Sequence, residues 1–223
     1  MSTPERPSYQ QRTAYHVTLL GMVALLSSAA LVIADLQTRE PIEAARERQL
    51  GERIAQVTPV HSAADAPLER TVTVEHDGHR HTAWQYVEGN EVAAVAVQSQ
   101  AQGYGGAIRV IVGIDRDGEI LAARVTEHQE TPGLGDDIEA ERSDWIDDFE
   151  GRSLENTDAD AWAVEKDGGE FDQFTGATIT PRAVVEAVHA ALHAFEAHQD
   201  RLLDPRAGEQ RTADGATEET DDG

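Results

Sequence analysis

The chain contains no cysteine. That excludes thiolate-ligated iron–sulfur clusters, disulfides and a lipid-modified cysteine anchor, so any redox role has to use another cofactor. Lysine is nearly absent as well. Lys166 is the only one, and 18 basic residues against 42 acidic ones leave a formal net charge of −24. A surface of this sign repels polyanions, so no nucleic-acid partner is expected. Self-repulsion on this scale is relieved by salt screening, and the composition points to a salt-tolerant source. No G-x-G-x-x-G turn joins a strand to a helix, so direct binding of NAD is not expected. No nucleophile–base constellation supports a hydrolase. Only one apolar run is long enough to cross a bilayer, which leaves no membrane-embedded ion pathway within this chain.

That run extends from Val17 to Ala34, broken only by Thr18, Ser27 and Ser28, and Tyr15 stands just before it. At about 1.5 Å per helical residue it is long enough to span a hydrocarbon core. Arg6 and Arg12 precede it with Glu5 as the opposing charge, so the positive-inside rule places the N-terminus in the cytoplasm and the body outside. Val32-Ile33-Ala34 before Asp35 has the small-residue character of a signal-peptide cleavage site. The length of the run favours a retained anchor. The expected division is a cytoplasmic N-terminus at 1–13, a transmembrane anchor at 14–35 and a connecting helix and linker at 36–67. A globular domain at 68–203 and a disordered acidic tail at 204–223 complete it.

Within the domain the apolar residues recur with period two from Leu68 to Val74, Ala83 to Val87, Val92 to Val97, Ile108 to Ile114 and Ile120 to Val125. Asp77-Gly78, Gly89-Asn90 and Asp117-Gly118 lie between these runs and are hairpin signals. The expected fold class is therefore α+β: one N-terminal transmembrane helix, then a twisted antiparallel sheet with packed helices. Asp136 to Phe149 reads as a helix burying Ile138, Trp145, Ile146 and Phe149, and Ala161 to Val164 as a short strand. After Pro181, the residues Val184, Val185, Val188, Leu192 and Phe195 fall at helical spacing and form a stripe that should pack on the sheet. His76, His79 and His81 straddle a turn, and His189 and His193 stand one helical turn apart. Imidazoles are metal ligands, but no spacing matches a metalloenzyme motif. These histidines read as exposed residues on a sheet edge and a helix face.

Chemistry concentrates in three segments. The first is Asp172-Gln173-Phe174-Thr175-Gly176-Ala177-Thr178, followed by Ile179-Thr180-Pro181. Gly176 and Ala177 carry no bulk and permit close approach to Thr178, while Thr180 reads as an N-cap with Pro181 as the first helical residue. A helix start there favours a nearby anion. The chain holds its own control, Asp214-Gly215-Ala216-Thr217 in the acidic tail, which has Arg211 where the upstream copy has Asp172. The second segment is Glu130-Thr131-Pro132-Gly133-Leu134-Gly135. It reads as a tight turn that either lays Leu134 and backbone amides against a flat ring or only connects a strand to a helix. The third, Gly103-Tyr104-Gly105-Gly106, is a flexible turn with one aromatic.

Together, over roughly residues 79–200, these segments resemble the FMN-binding domain family, and within it the G subunit of the Rnf electron-transport complexes. The resemblance implies that a separate flavin transferase esterifies FMN through its phosphate to Thr178. It also implies that Asp172, Thr175, Gly176, Ala177, Glu130, Thr131, Pro132, Gly133, Leu134, Gly135, Tyr104 and Gly105 surround the cofactor. It further implies a single-pass inner-membrane protein with a periplasmic domain. Such a protein relays electrons among membrane and peripheral Rnf subunits, between ferredoxin and NAD, as part of an ion translocase. Two alternatives are the C subunit of the sodium-pumping NADH:quinone reductase and a tethered adaptor of the same fold without covalent flavin.

Overall fold

The structure is a computed structural model and describes residues 8–58 and 68–208. The acidic tail from residue 209, with Thr217, and most of the linker before the first strand lie outside the described residues. The chain divides into two compact units, Met1–Glu47 and Arg48–Gly223.

Helix α1 runs Ser8–Val57, so the expected connecting helix continues the apolar one without a break. Its stretch Tyr15–Val32 has a mean hydropathy of 1.8, and none of it is buried by protein. Apolar side chains on every side, with no core to cover them, suit lipid. This is the N-terminal apolar helix expected from sequence.

The second unit is built on a five-stranded antiparallel meander in the order β1-β2-β3-β4-β5. The strands are β1 (Thr71–His76), β2 (His79–Glu88), β3 (Glu91–Gln102), β4 (Ala107–Asp115) and β5 (Ile120–Glu127). Asp77 and Gly78, at φ 50° and 77°, close the first hairpin, and His76 pairs directly with His79. Two positive φ values in a two-residue loop are what a tight hairpin with right-handed twist requires. Alternation sorts the strand residues onto two faces. Val72, Val74, Ala83, Val97, Val110, Val112 and Val125 bury against helix α2 (Ile179–Ala197), which presents Val184, Val185, Val188, Leu192 and Phe195.

The opposite face, Trp84, Ala96, Ile111 and Ala122, is covered by Leu50, Ile54 and Val57 from the last turns of α1. Arg53 adds an ion pair to Glu141 at 2.8 Å. The approach is closest at Gly113, where a Cβ would lie 1.6 Å from the Val57 carbonyl oxygen. No side chain fits there without lifting α1 from the sheet. Gly113→Ala is expected to lower stability by about 3 kcal/mol, the upper range for overpacking a tight contact. Gly21→Ala, with nothing within 4 Å, should leave it within about 0.5 kcal/mol. Denaturation midpoints of the full chain in detergent would compare the two, and equal midpoints would refute the close-approach argument.

Two expectations need correction. Residues 136–149 do not form one helix. They form two short 3-10 turns, Asp136–Ile138 and Asp144–Phe149. Asp136 is committed by accepting the Gly133 N–H at 2.7 Å and pairing with Arg142 at 2.9 Å. The Ser143 hydroxyl caps a new turn through the Trp145 N–H. Short polar side chains thus satisfy the backbone locally and interrupt the helix, although Ile138, Trp145, Ile146 and Phe149 are buried as expected. Likewise, Ala161 ends a 3-10 turn, and only Val164 makes a strand-like contact, an isolated parallel bridge to Phe171.

The fold also continues past Leu203. Gln85, wholly buried, donates from Nε2 to the carbonyls of Leu202 and Asp204 at 2.8 Å each, and Ala207 packs on the core. Helix α3 (Gln199–Leu202) therefore leads into an anchored turn through residue 208 rather than directly into a tail.

Candidate functional site

The three segments singled out in the sequence converge at the N-terminus of α2. They enclose a cleft of about 430 Å³ lined by Tyr104, Glu130, Thr131, Leu134, Gly135, Gly176, Ala177, Thr178, Ile179 and Thr180. This volume lies within the range of about 300–1,000 Å³ common for small-molecule sites.

Glu130 joins the three. It is only 6 % exposed, and both carboxylate oxygens are engaged. Oε1 accepts the Gly105 N–H at 2.9 Å, and Oε2 accepts the Thr180 hydroxyl. The glycines around it are required by space. A Cβ on Gly105 would lie 1.9 Å from the Gln129 carbonyl oxygen, and one on Gly103 would lie 2.5 Å from Glu130 Oε1. The Glu130 N–H donates to His128 Nδ1 at 3.2 Å, and His128 Nε2 meets Glu139 Oε1 at 2.8 Å. With Nδ1 accepting, the ring proton resides on Nε2 and is donated to Glu139.

The next turn is closed by N–H groups of Leu134 and Gly135, both donating to the Thr131 carbonyl at 3.1 and 3.0 Å. Gly133 takes φ 78°, a conformation that disfavours a side chain. Leu134 consequently projects outward, 48 % exposed, and forms an apolar lip with Tyr104 (74 %) and Ile179 (45 %).

The acceptor loop is set from behind. Trp145 Nε1 donates to the Asp172 carbonyl at 2.9 Å, and Phe174 packs edge-on against the Trp145 ring with centroids 5.2 Å apart. Gly176, at φ 86°, turns the chain into α2. The helix starts earlier than the sequence suggests. Its first residue is Ile179 and its N-cap is Thr178, which makes no side-chain capping hydrogen bond. Thr180 is not the cap because the helix has already begun at Ile179, and its hydroxyl donates to Glu130 instead of standing free to accept a backbone N–H. Pro181 then occupies the third helical position, still within the first turn, where its missing N–H has no intrahelical partner to lose. The Thr178 hydroxyl is left unspent at the positive end of a 19-residue helix.

Of the residues expected at the site, Tyr104, Glu130, Thr131, Leu134, Gly135, Gly176, Ala177 and Thr178 line the cleft. Gly105, Pro132 and Gly133 lie in the turns that shape it, outside the lining. Asp172 and Thr175 do not line it either, and Asp172 contributes its carbonyl to Trp145. Ile179, Thr180 and Trp145 were not singled out as site residues. Thr180 was legible only as a cap, and nothing local marks Trp145 as a support for the acceptor loop.

The lining includes no lysine or arginine. Arg182, one turn into α2, is turned to Asp167 at 2.7 Å. An anion at Thr178 would therefore rely on the N–H groups of Thr178 and Ile179 at the helix start, since Pro181 has none and that of Thr180 donates to the Ala177 carbonyl.

The histidines do not behave as two separate exposed sets. His81 is 3 % exposed, and together with His76, His79, His189 and His193 it lines a second cleft of about 190 Å³.

The FMN-binding domain family matches residues 103–193, a span that contains all three segments. The chain is 44 % identical over 189 residues to the G subunit of the ion-translocating oxidoreductase complex of Cereibacter sphaeroides, covering 84 % of this chain and 86 % of that one. To the G subunit of the same complex in Pseudomonas aeruginosa it is 40 % identical over 193 residues, covering 84 % and 90 %. Among solved structures, the C subunit of the Na⁺-translocating NADH-quinone reductase of Parabacteroides distasonis is similar at 17 % identity with a TM-score of 0.46. That likeness covers 70 % of this chain and 92 % of that one.

Proposed function

The chain belongs to the family of G subunits of ion-translocating oxidoreductase complexes, and on that premise we propose that it is a membrane-anchored electron relay carrying FMN joined through its phosphate to Thr178. The observation that carries this reading is the Thr178 hydroxyl, free of any capping bond and placed where the 430 Å³ cleft meets the N-terminus of α2.

The residues fit the group. Gly176 and Ala177 leave the acceptor open to a separate transferase, which a threonine hydroxyl needs because it is a poor nucleophile near neutral pH. The N–H groups of Thr178 and Ile179 at the positive end of α2 favour the phosphodiester anion. Tyr104, Leu134 and Ile179 offer apolar surface to a flat ring, while Glu130 holds the glycine-rich turn and α2 in register. When bound, FMN supplies the redox chemistry, and the protein supplies position and electrostatics. Because no cationic side chain lines the cleft, a covalent phosphoester takes over the retention that an arginine or lysine clamp would otherwise provide.

In this reading α1 crosses the inner membrane with its N-terminus in the cytoplasm, and the domain works on the periplasmic side. Electrons pass to and from membrane and peripheral subunits of an Rnf-type complex that operates between ferredoxin and NAD. The test is the intact mass and in-gel flavin fluorescence of the denatured chain after co-expression with a flavin transferase, followed by peptide mapping. An adduct of FMN minus water on Thr178 is the expected result. No adduct, with the transferase active on a control substrate, would move the reading to a tethered adaptor without covalent flavin.

A further inference from the structure

Six histidines from segments more than a hundred residues apart in sequence gather where the β1–β2 hairpin meets the C-terminal half of α2. His76 and His79 face each other across the hairpin end, and His81 lies two residues further along β2. From the helix, the rings of His189 and His193 stand 4.4 Å apart, and the His193 ring stacks on that of His76 at 6.4 Å. His198 follows at the helix end, 6.2 Å from His76, and its Nε2 meets the Glu75 carbonyl at 3.0 Å. Among the described residues no three His, Asp or Glu groups are placed to hold a metal ion. What the cluster can take up is protons.

We propose that this histidine cleft is a proton-operated latch, closed while its rings are neutral and opened by acidification, which parts the β1–β2 hairpin from α2. The geometry gives the reason. His81 is buried and its Nδ1 has no partner, so a second ring proton there has nothing to receive it. His189 is pressed flat on Trp162, with ring centroids 5.0 Å apart and planes 8° apart, and has His193 as its neighbour.

The groups facing the rings from each element are few. The hairpin brings Asp77, 3.5 Å from His76, together with Glu75, which is paired with Arg80. From α2 come Glu186, which lines the cleft, and Glu196, 3.9 Å from His193. Asp77 and Glu196 accompany outer rings, Glu186 stands three residues before His189 on α2, and none of these carboxylates forms an ion pair with either inner ring. Burial lowers the pKa of both His81 and His189. For His81 the nearby His76, His79 and His198 add to this against a backbone hydrogen bond to Gln98, and for His189 it is His193 that adds to it.

A histidine held below its ordinary value of 6.5 in the folded state gives its full contribution to stability above that pH. The contribution is lost as pH falls, because the open form takes up the proton first.

Thermal midpoints and amide hydrogen exchange of the full chain at pH 7.5 and 5.5 test the latch. The expected result is a drop of about 5 °C at pH 5.5. Exchange, corrected for its intrinsic pH dependence, should rise in residues 76–81 and 189–198 and stay unchanged in β3 and β4. His81→Gln and His189→Gln should each remove a substantial part of that drop, and His189→Gln should also abolish acid quenching of Trp162 emission. Having two variants guards against one that fails to fold. An equal drop in wild type and in every folded variant, or exchange that rises uniformly across the sheet, would overturn the proposal.

Discussion

Thr178→Ala is expected to eliminate in-gel flavin fluorescence entirely while leaving the fold intact. The first half follows from the chemistry, since an alanine has no oxygen to form the phosphoester. The second follows from the helix start. An N-cap threonine that bonds its own helix contributes about 0.5–2 kcal/mol, but Thr178 makes no such bond. Its loss should therefore cost a few tenths of a kcal/mol. Retained covalent flavin in this variant would remove Thr178 as the acceptor. Thr175, three residues upstream and outside the cleft lining, is the informative comparison, because Thr175→Ala should load normally. Thr217→Ala in the tail copy should also change nothing. If Thr178→Ala unfolded the domain, the account of an unspent hydroxyl would fail independently of the flavin assignment.

The second large effect is at Glu130. Its carboxylate accepts one N–H from the glycine-rich turn and one O–H from α2, and hydrogen bonds to a charged group contribute about 1.5–3 kcal/mol each. Glu130→Ala removes both and leaves the Thr180 hydroxyl buried without a partner. A loss of roughly 3–5 kcal/mol is expected, with flavin loading falling in parallel as the cleft loses its shape. Glu130→Gln is the discriminating variant. The amide oxygen can still accept from Gly105, and the amide nitrogen can donate to the Thr180 oxygen, so both segments stay tied through weaker neutral bonds. The expected cost is about 1 kcal/mol, with loading largely kept. Urea midpoints and flavin stoichiometry measured together check the pair. If Gln matched Ala in severity, the charge itself rather than the two-point connection would be what the site requires.

The site was legible to unequal depth. The acceptor segment, the Glu130–Gly135 turn and the Gly103–Gly106 turn could be read directly because each carries its requirement locally. Small residues stand where the backbone must be approached, and glycines where φ is positive. Gly133 and Gly176, at φ 78° and 86°, are the clearest cases. The roles inside those segments were less legible. Asp172 and Thr175 share the segment with Thr178 yet stand outside the cleft lining, whereas Thr180 and Ile179 belong to it. A contiguous motif does not say which of its side chains turn inward, since that depends on where the chain enters the helix.

What the sequence by itself determined was whatever repeats over a few residues. The apolar run of the anchor, the period-two strands, the hairpin glycines and the stripe on α2 are each encoded within a single element, and local sterics and burial are enough to read them. Tertiary structure alone decided the pairings between distant elements. Thr180 left its cap for Glu130, 50 residues earlier in the chain. The last turns of α1 covered the second face of the sheet at Gly113. Histidines from two ends of the domain closed on one cleft. The physical reason is the same in each case. A side chain's partner is set by the packing of whole elements against one another, and the group or surface reached in three dimensions prevails over the nearest one along the chain.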